Sequence, residues 1–388
     1  MYALLLTLIY VAFIGLGLPD SLLGSAWPLI RAQMGVPLSF AGIVSMIIAG
    51  GTIVSSLSSD RLTKRFGVGS VTAVSVLMTA VALFGFSLSG SFWMLCVWAI
   101  PYGLGAGAVD AALNNYVALH YASRHMNWLH AFWGVGAAVS PLIMGHSLAS
   151  GMGWTGGYRT VSIMQMALTA CLFAGLSLWK GQKAASEEQK KAPSLTLSQI
   201  MRIKGVKFIL PAFLCYCALE TTTGLWASSF LVLQRGVSPE VAAKYASFFF
   251  IGIMTGRFLC GFISDRIGDR NMIRIGIGVV LAGILAVWLP VKADWLCLNG
   301  LIVIGLGCAP VYPAIIHLTP ANFGKENAQA IVGVQMASAY TGSTFMPPLF
   351  GLIAGSIGIG LYPMYLFVFA ALMLFMTEQL NRMVGQNP

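Results

Sequence analysis

Charge is what this sequence has least of: Asp, Glu, Lys and Arg make up 9% of its 388 residues, where soluble domains carry roughly a quarter. With 57% hydrophobic residues and a mean hydropathy of +0.82, the chain fits no water-soluble fold. Catalytic runs are missing too. There is no H-E-x-x-H helix, no G-x-S-x-G elbow and no intramembrane Ser with an evident His partner, which argues against an enzyme. The cysteines at 96, 171, 215, 217, 260, 297 and 308 follow neither zinc nor disulfide spacing, and Cys215 and Cys217 point in different directions on a helix. They read as small packing residues, and no metal or cofactor is expected.

What is present is a series of long apolar runs. At about 20 residues per crossing, they predict an all-α membrane protein with twelve spans, at 3–30, 38–59, 68–90, 92–122, 128–150, 158–180, 206–233, 239–262, 272–291, 294–319, 327–355 and 358–381. The first run is expected to stay as a span, since it has no basic leader region, is too long for a signal peptide and carries Pro19-Asp20 in its middle. One set of connections holds sixteen Lys and Arg, the other only five (Arg31, Arg159, Arg235, Lys244 and Lys292), and Arg257 is left inside a span. The positive-inside rule then places both termini in the cytoplasm, in a bacterial inner (plasma) membrane. The formal charge of +10 faces that compartment and implies no nucleic-acid partner.

A polar stretch from Lys180 to Lys207 separates two blocks of six spans, predicting bundles at 1–180 and 206–388 joined by a cytoplasmic linker at 181–205. An offset of 200–206 residues brings the blocks into register. Gly35-Val36 matches Gly236-Val237, and Gly103-Leu104-Gly105 matches Gly305-Leu306-Gly307. Asp60-Arg61 matches Asp265-Arg266, while Gly136, Pro141 and Gly145 match Gly342, Pro347 and Gly351. Parallel repeats of this kind place a substrate site between the halves near the midplane.

Three carboxylates, Asp20, Asp110 and Glu220, lie well inside spans. An Asp at a helix centre costs about 2.5–3.5 kcal/mol on insertion scales, so such groups mark ion or substrate pathways. Acids whose exposure changes with the cavity can load and release a proton, which makes these three the candidate coupling groups. Sodium coupling stays open.

The segment Gly261-Phe-Ile-Ser-Asp265-Arg266-Ile-Gly268-Asp269-Arg270 resembles the loop signature of the major facilitator superfamily, and Ser56-Leu-Ser-Ser-Asp60-Arg61-Leu-Thr-Lys64-Arg65 is a weaker copy with Ser56 in place of Gly. The resemblance implies gating contacts by Asp60, Arg61, Arg65, Asp265, Arg266 and Arg270. Span 4 reads Gly107-Ala-Val-Asp110-Ala-Ala-Leu-Asn114-Asn115, an acid followed four residues later by Asn. With Asp20 in span 1 and Tyr216, Glu220, Gly224 and Trp226 in span 7, it is similar to the fucose permease-like sugar:proton symporters. In that branch the two acids serve proton coupling and hydroxyl recognition. Asp110 stands where the fucose carriers have Glu, and His130 and Trp133 where they have amides, so the solute is expected to differ.

The resulting expectation is a monomeric secondary carrier in a lipid bilayer, a proton-coupled symporter of a sugar or similar polyhydroxylated solute. The alternative is a proton antiporter exporting a small organic compound or drug, whose span-5 signature is matched only loosely by Gly136 and Ser140-Pro141. Substrate contacts are expected from Asp20, Trp27, Asp110, Asn114, His130, Trp133, Glu220 and Trp226. His317 and Gln335 join them because repeat register puts them near Asn115 and His130.

Overall fold

A computed structural model describes residues 2–121, 123–179, 197–289 and 294–384. The first half holds α1 (Tyr2–Asp20), α2 (Leu22–Met34), α3 (Phe40–Phe66), α4 (Val68–Ser87), α5 (Phe92–His120), α6 (Ser123–Ala149) and α7 (Gly153–Ala174). A short helix, α8 (Leu197–Arg202), comes next. The second half holds α9 (Val206–Arg235), α10 (Pro239–Ile267), α11 (Asp269–Trp288), α12 (Asp294–Phe323), α13 (Lys325–Ser356) and α14 (Tyr362–Val384). Among the described residues there is no strand. The expected linker falls largely outside them, and its described end is helical, as α8.

Counting α1 and α2 as one broken rod, twelve long helices form the bundle, and ten of these rods are long and apolar enough to cross a membrane. The two that fall short are α3, apolar only over Phe40–Ser56, and α13. These two pack on each other across the halves. A helix that faces protein instead of lipid tolerates the serines and threonines both carry.

The break in the first rod follows from Pro19. Proline has no N–H to give the carbonyl four residues back, which leaves Gly15 O free, and the buried Gln165 Nε2 of α7 donates to it. Pro141 likewise frees Ala137 O in α6, and Ser21 Oγ donates to that oxygen at 2.7 Å. Inside a bilayer each freed backbone group needs such a partner. Together the two prolines fix α1, α6 and α7 around the break, and Asp20 sits at the break.

The repeat is visible in backbone geometry. Gly35 (φ 64°) and Gly236 (φ 68°) both end the first rod of their half in the left-handed conformation open to glycine. Gly136 of α6 lies against the backbone of Ile14 and Leu18 in α1, and Gly342 of α13 lies against Leu214 and Ala218 in α9. A side chain at either would collide with main chain. The loop signature is out of register, however. The turn glycines Gly67 (φ 82°) and Gly268 (φ 79°) correspond, but Asp60 precedes its glycine by seven residues and Asp265 by three. The two Asp positions are therefore offset by four residues along the chain relative to these glycines, unlike the Asp-Arg match.

The halves meet at one end of the bundle, the end carrying the turns at 35–39, 150–152 and 236–238. There α2 packs on α9, α3 on α13 and α6 on α10. Gly24 lies against the backbone of Gly224 and Leu225, Gly42 against Pro348, and Gly145 against Glu240 and Lys244.

Candidate functional site

Asp20, at the break of the first rod, accepts two hydrogen bonds from neutral donors of its own half: Tyr102 Oη on α5 at 3.1 Å to Oδ1, and Trp133 Nε1 on α6 at 2.8 Å to Oδ2. Its side chain is exposed although three helices surround it. The seam closes the opposite end, so the crevice that reaches it opens where the chain enters α1 and leaves α14. Asp110, two turns beyond Tyr102 on α5, accepts from Asn114 Nδ2 at 2.8 Å and lies within electrostatic reach of Asp20. From the second half, Tyr312 of α12 and Tyr340 of α13 lie within electrostatic reach of Asp110.

Glu220, in the middle of α9, forms an ion pair with Arg257 of α10, Nη2 to Oε1 at 3.6 Å, with side-chain exposures of 16% and 13%. The Tyr216 hydroxyl lies beside both groups. Arg257 also crosses to the first half: its Cζ sits 5.5 Å from the ring centroid of Trp133. His130, one turn before Trp133, meets Phe13 edge-on at 6.0 Å and lies within electrostatic reach of Arg257. A continuous chain of side chains thus runs Tyr102, Asp20, Trp133, Arg257, Glu220 across both halves. No group of three or more His, Cys, Asp or Glu among the described residues is placed to hold a metal ion.

The structure brings Asp20, Asp110, Asn114, His130, Trp133 and Glu220 together and places the other four expected contacts elsewhere. Trp27 is wholly buried and donates Nε1–H to Leu38 O at 2.9 Å, and Trp226 is wholly buried and donates to Pro347 O at 2.8 Å. With ring and N–H both engaged, neither offers a face to a solute here; each pins its rod to a neighbouring backbone. His317 is 82% exposed and bonds Asp269 through Nδ1 to Oδ2 at 2.6 Å, because α12 carries it to the start of α11. Gln335 is fully buried and accepts from Thr319 Oγ1 at 3.1 Å. The offset that aligns Gly136 with Gly342 pairs His130 with Met336, and one residue on a helix turns a side chain by about 100°, away from the crevice.

Among the expected gating residues, Arg61 and Arg266 are exposed, and Arg65 is exposed beside the ring of Phe66. Arg270 Nη2 donates to Asn322 Oδ1 at 3.4 Å, tying α11 to the end of α12. The side chains of Asp60 and Asp265 lie outside the described residues.

Sequence reasoning missed Tyr102 and Arg257. Arg257 had a signal, a lone cation in an apolar span, yet weighing it only for topology hid its role as the partner of Glu220. Tyr102 had none: a tyrosine beside Gly103 in an apolar run looks like packing.

Comparison with known proteins agrees with this architecture. The profile of the Major Facilitator Superfamily matches residues 9–335 and, in an overlapping second match, 208–379. The glucose/mannose transporter GlcP of Bacillus subtilis (strain 168) is 22% identical, with 88% of this chain and 86% of that protein covered. The cis,cis-muconate transport protein of Acinetobacter baylyi (strain ATCC 33305 / BD413 / ADP1) is 23% identical, with 85% and 83% covered. In structure, a bacterial homologue of the human lysosomal transporter Spinster, in an inward-facing and occupied conformation, superposes with a TM-score of 0.74 at 11% identity, over 98% of this chain and 97% of that one. With the profile spanning both halves and the relatives aligned over most of their length, the chain belongs to the Major Facilitator Superfamily and is a multi-pass membrane transporter of small molecules.

Proposed function

We propose that this transporter is a proton-coupled symporter of a neutral, polyhydroxylated solute of the sugar class, working by alternating access between halves 1–180 and 206–388. The observation that carries this reading is the setting of Asp20: an exposed carboxylate whose hydrogen-bond partners among the described residues are the neutral donors Tyr102 and Trp133. Such a group can gain or lose a proton without abandoning a charged partner. Asp110 stands close enough to exchange charge influence with it, and Glu220 is matched by Arg257. Trp133 is half-buried, so part of its ring faces the crevice, where the C–H face of a pyranose stacks well on an aromatic. The similarity to GlcP, whose name gives glucose and mannose, points the same way. By the charge asymmetry of the loops, the crevice opens to the cytoplasm of a bacterial inner membrane.

A second reading, uptake of an organic acid, is favoured by the Arg257 guanidinium and by the muconate-carrying relative. Charge counting weighs against it: Glu220 offsets Arg257, and Asp20 and Asp110 leave the crevice acidic overall.

Proteoliposomes under an imposed proton gradient test the proposal. The wild type should accumulate glucose or mannose, and Asp20→Asn and Asp110→Asn should lose accumulation while retaining exchange. Undiminished accumulation in both variants refutes proton coupling; accumulation driven only by a sodium gradient replaces the ion. Accumulation of cis,cis-muconate in place of either sugar selects the organic-acid reading.

A further inference from the structure

We propose that Arg257 is the positioning residue by which each half of the transporter registers the charge on the other half's acid. The inference rests on the reading of Asp20 as the proton-coupling group.

The guanidinium is divided between two seats. Toward α9 it pairs with Glu220 at 3.6 Å, well beyond the roughly 2.7–2.9 Å of a closed charge-assisted hydrogen bond. Toward α6 it sits 5.5 Å from the centroid of Trp133, within the roughly 6 Å over which a cation is drawn to an indole ring. The same indole gives its N–H to Asp20 at 2.8 Å. A carboxylate on the N–H edge orients the ring and polarises it, and hydrogen-bonded groups reinforce one another in a low-dielectric interior. While Asp20 is ionised, the indole is therefore held and its face keeps Arg257 across the seam.

A proton on Asp20, or a solute hydroxyl that takes the indole N–H, loosens that ring. Arg257 then closes onto Glu220, leaves α6, and removes a contact that binds the halves. The other titratable or charged groups facing this chain are Tyr102 and Asp110 from α5, His130 from α6, Tyr158 from α7, Tyr216 and Cys217 beside Glu220 on α9, and Cys308 and Tyr312 from α12. Neither α4 nor α7 carries a carboxylate, and α2 carries only Arg31 near its far end.

The test needs no solute. Spin labels at Leu88 and Ile357, exposed residues at the seam end with one in each half, report the separation of the halves in proteoliposomes. In the wild type the distance distribution should shift between alkaline and acidic pH, and Asp20→Asn should hold it in the acidic form. Arg257→Lys keeps the charge beside Glu220 but loses the planar stacking surface, and Trp133→Phe keeps a ring but loses the N–H. In both, the shift should vanish. A purely structural Arg257 would lower the melting temperature and leave the pH shift intact, and an Arg257→Lys protein that shifts like the wild type overturns the inference while leaving Asp20 as the coupling group. A wild type with no shift overturns both. Should Arg257→Lys fail to fold, the paired variant Glu220→Gln/Arg257→Gln, which buries no lone charge, is measured the same way; a wild-type shift there overturns the inference.

Discussion

The two halves repeat one fold and divide one chemistry between them. Asp20 precedes Gly24 by four residues, Glu220 precedes Gly224 by four, and the two glycines meet at the crossing of α2 and α9. The acids are thus counterparts, one turn from a shared contact. Their surroundings are complementary. Tyr102 and Trp133, which hold Asp20, correspond to Ile304 and Ala339 in the second half; Arg257, which holds Glu220, corresponds to Ser56 in the first, whose Oγ merely donates to Gly107 O at 3.0 Å. Asp110 itself corresponds to Tyr312. A carboxylate inside a membrane span needs either neutral donors or a counter-ion, and each half has adopted one solution. The lesson is that repeat symmetry predicts where the buried polar groups lie but not which partners each half supplies for its acid.

The sharpest way to break this comparison is to remove the counter-ion. Arg257→Gln leaves Glu220 as a lone charge in a low-dielectric setting and should cost about 3 kcal/mol, seen as a lowered melting temperature in detergent; adding Glu220→Gln should restore most of it. The analogous change in the first half, Asp20→Asn, should cost less, about 1 kcal/mol, since the single amide oxygen keeps one of the two hydrogen bonds and no charge is left unpaired.

The glycine crossing should prove unequal. A methyl at Gly24 meets the backbone of Gly224 and Leu225, which cannot yield, whereas one at Gly224 meets the Phe250 ring edge at 3.0 Å, which can. Gly24→Ala should therefore cost about 2 kcal/mol, within the range for overpacking, and Gly224→Ala clearly less, by the same melting measurement. Equal costs would mean that the seam adjusts from both sides.

The paired tryptophans should behave alike. Trp27→Phe and Trp226→Phe each remove one buried hydrogen bond, to Leu38 O or Pro347 O, at about 1 kcal/mol, and neither should alter solute affinity once stability is allowed for. A selective loss of affinity in one would return that ring to the site. Tyr102→Phe removes one of two donors to Asp20, an effect of about 1 kcal/mol, read as a several-fold change in the half-saturation for solute. The smallest effect is expected at His317, whose replacement by Ala should change stability by at most about 0.5 kcal/mol and leave uptake unchanged.

The elements were legible where physics is local. Apolar length announced the spans, Pro19-Asp20 announced an unusual first rod, and Gly35 and Gly236 announced matched helix ends. The buried acids were legible as well, because a carboxylate in an apolar run has few other reasons to be there. The four residues placed away from the acids share one feature. Trp27, Trp226, Gln335 and His317 were judged by residue type and approximate register, yet one residue of error turns a helical side chain by about 100°. Arg257 was visible as an anomaly, and its partner was not.

Composition and pattern alone determined that this chain is a twice-repeated, all-helical membrane protein, since hydrocarbon admits only helices with satisfied backbones and sorts residues by polarity. Tertiary structure decided which polar groups meet. Asp20 finds Tyr102 and Trp133, and Glu220 finds Arg257, through contacts between residues 37 to 113 positions apart. Those pairings depend on how helices rotate and cross, a quantity that no single helix carries in its own sequence.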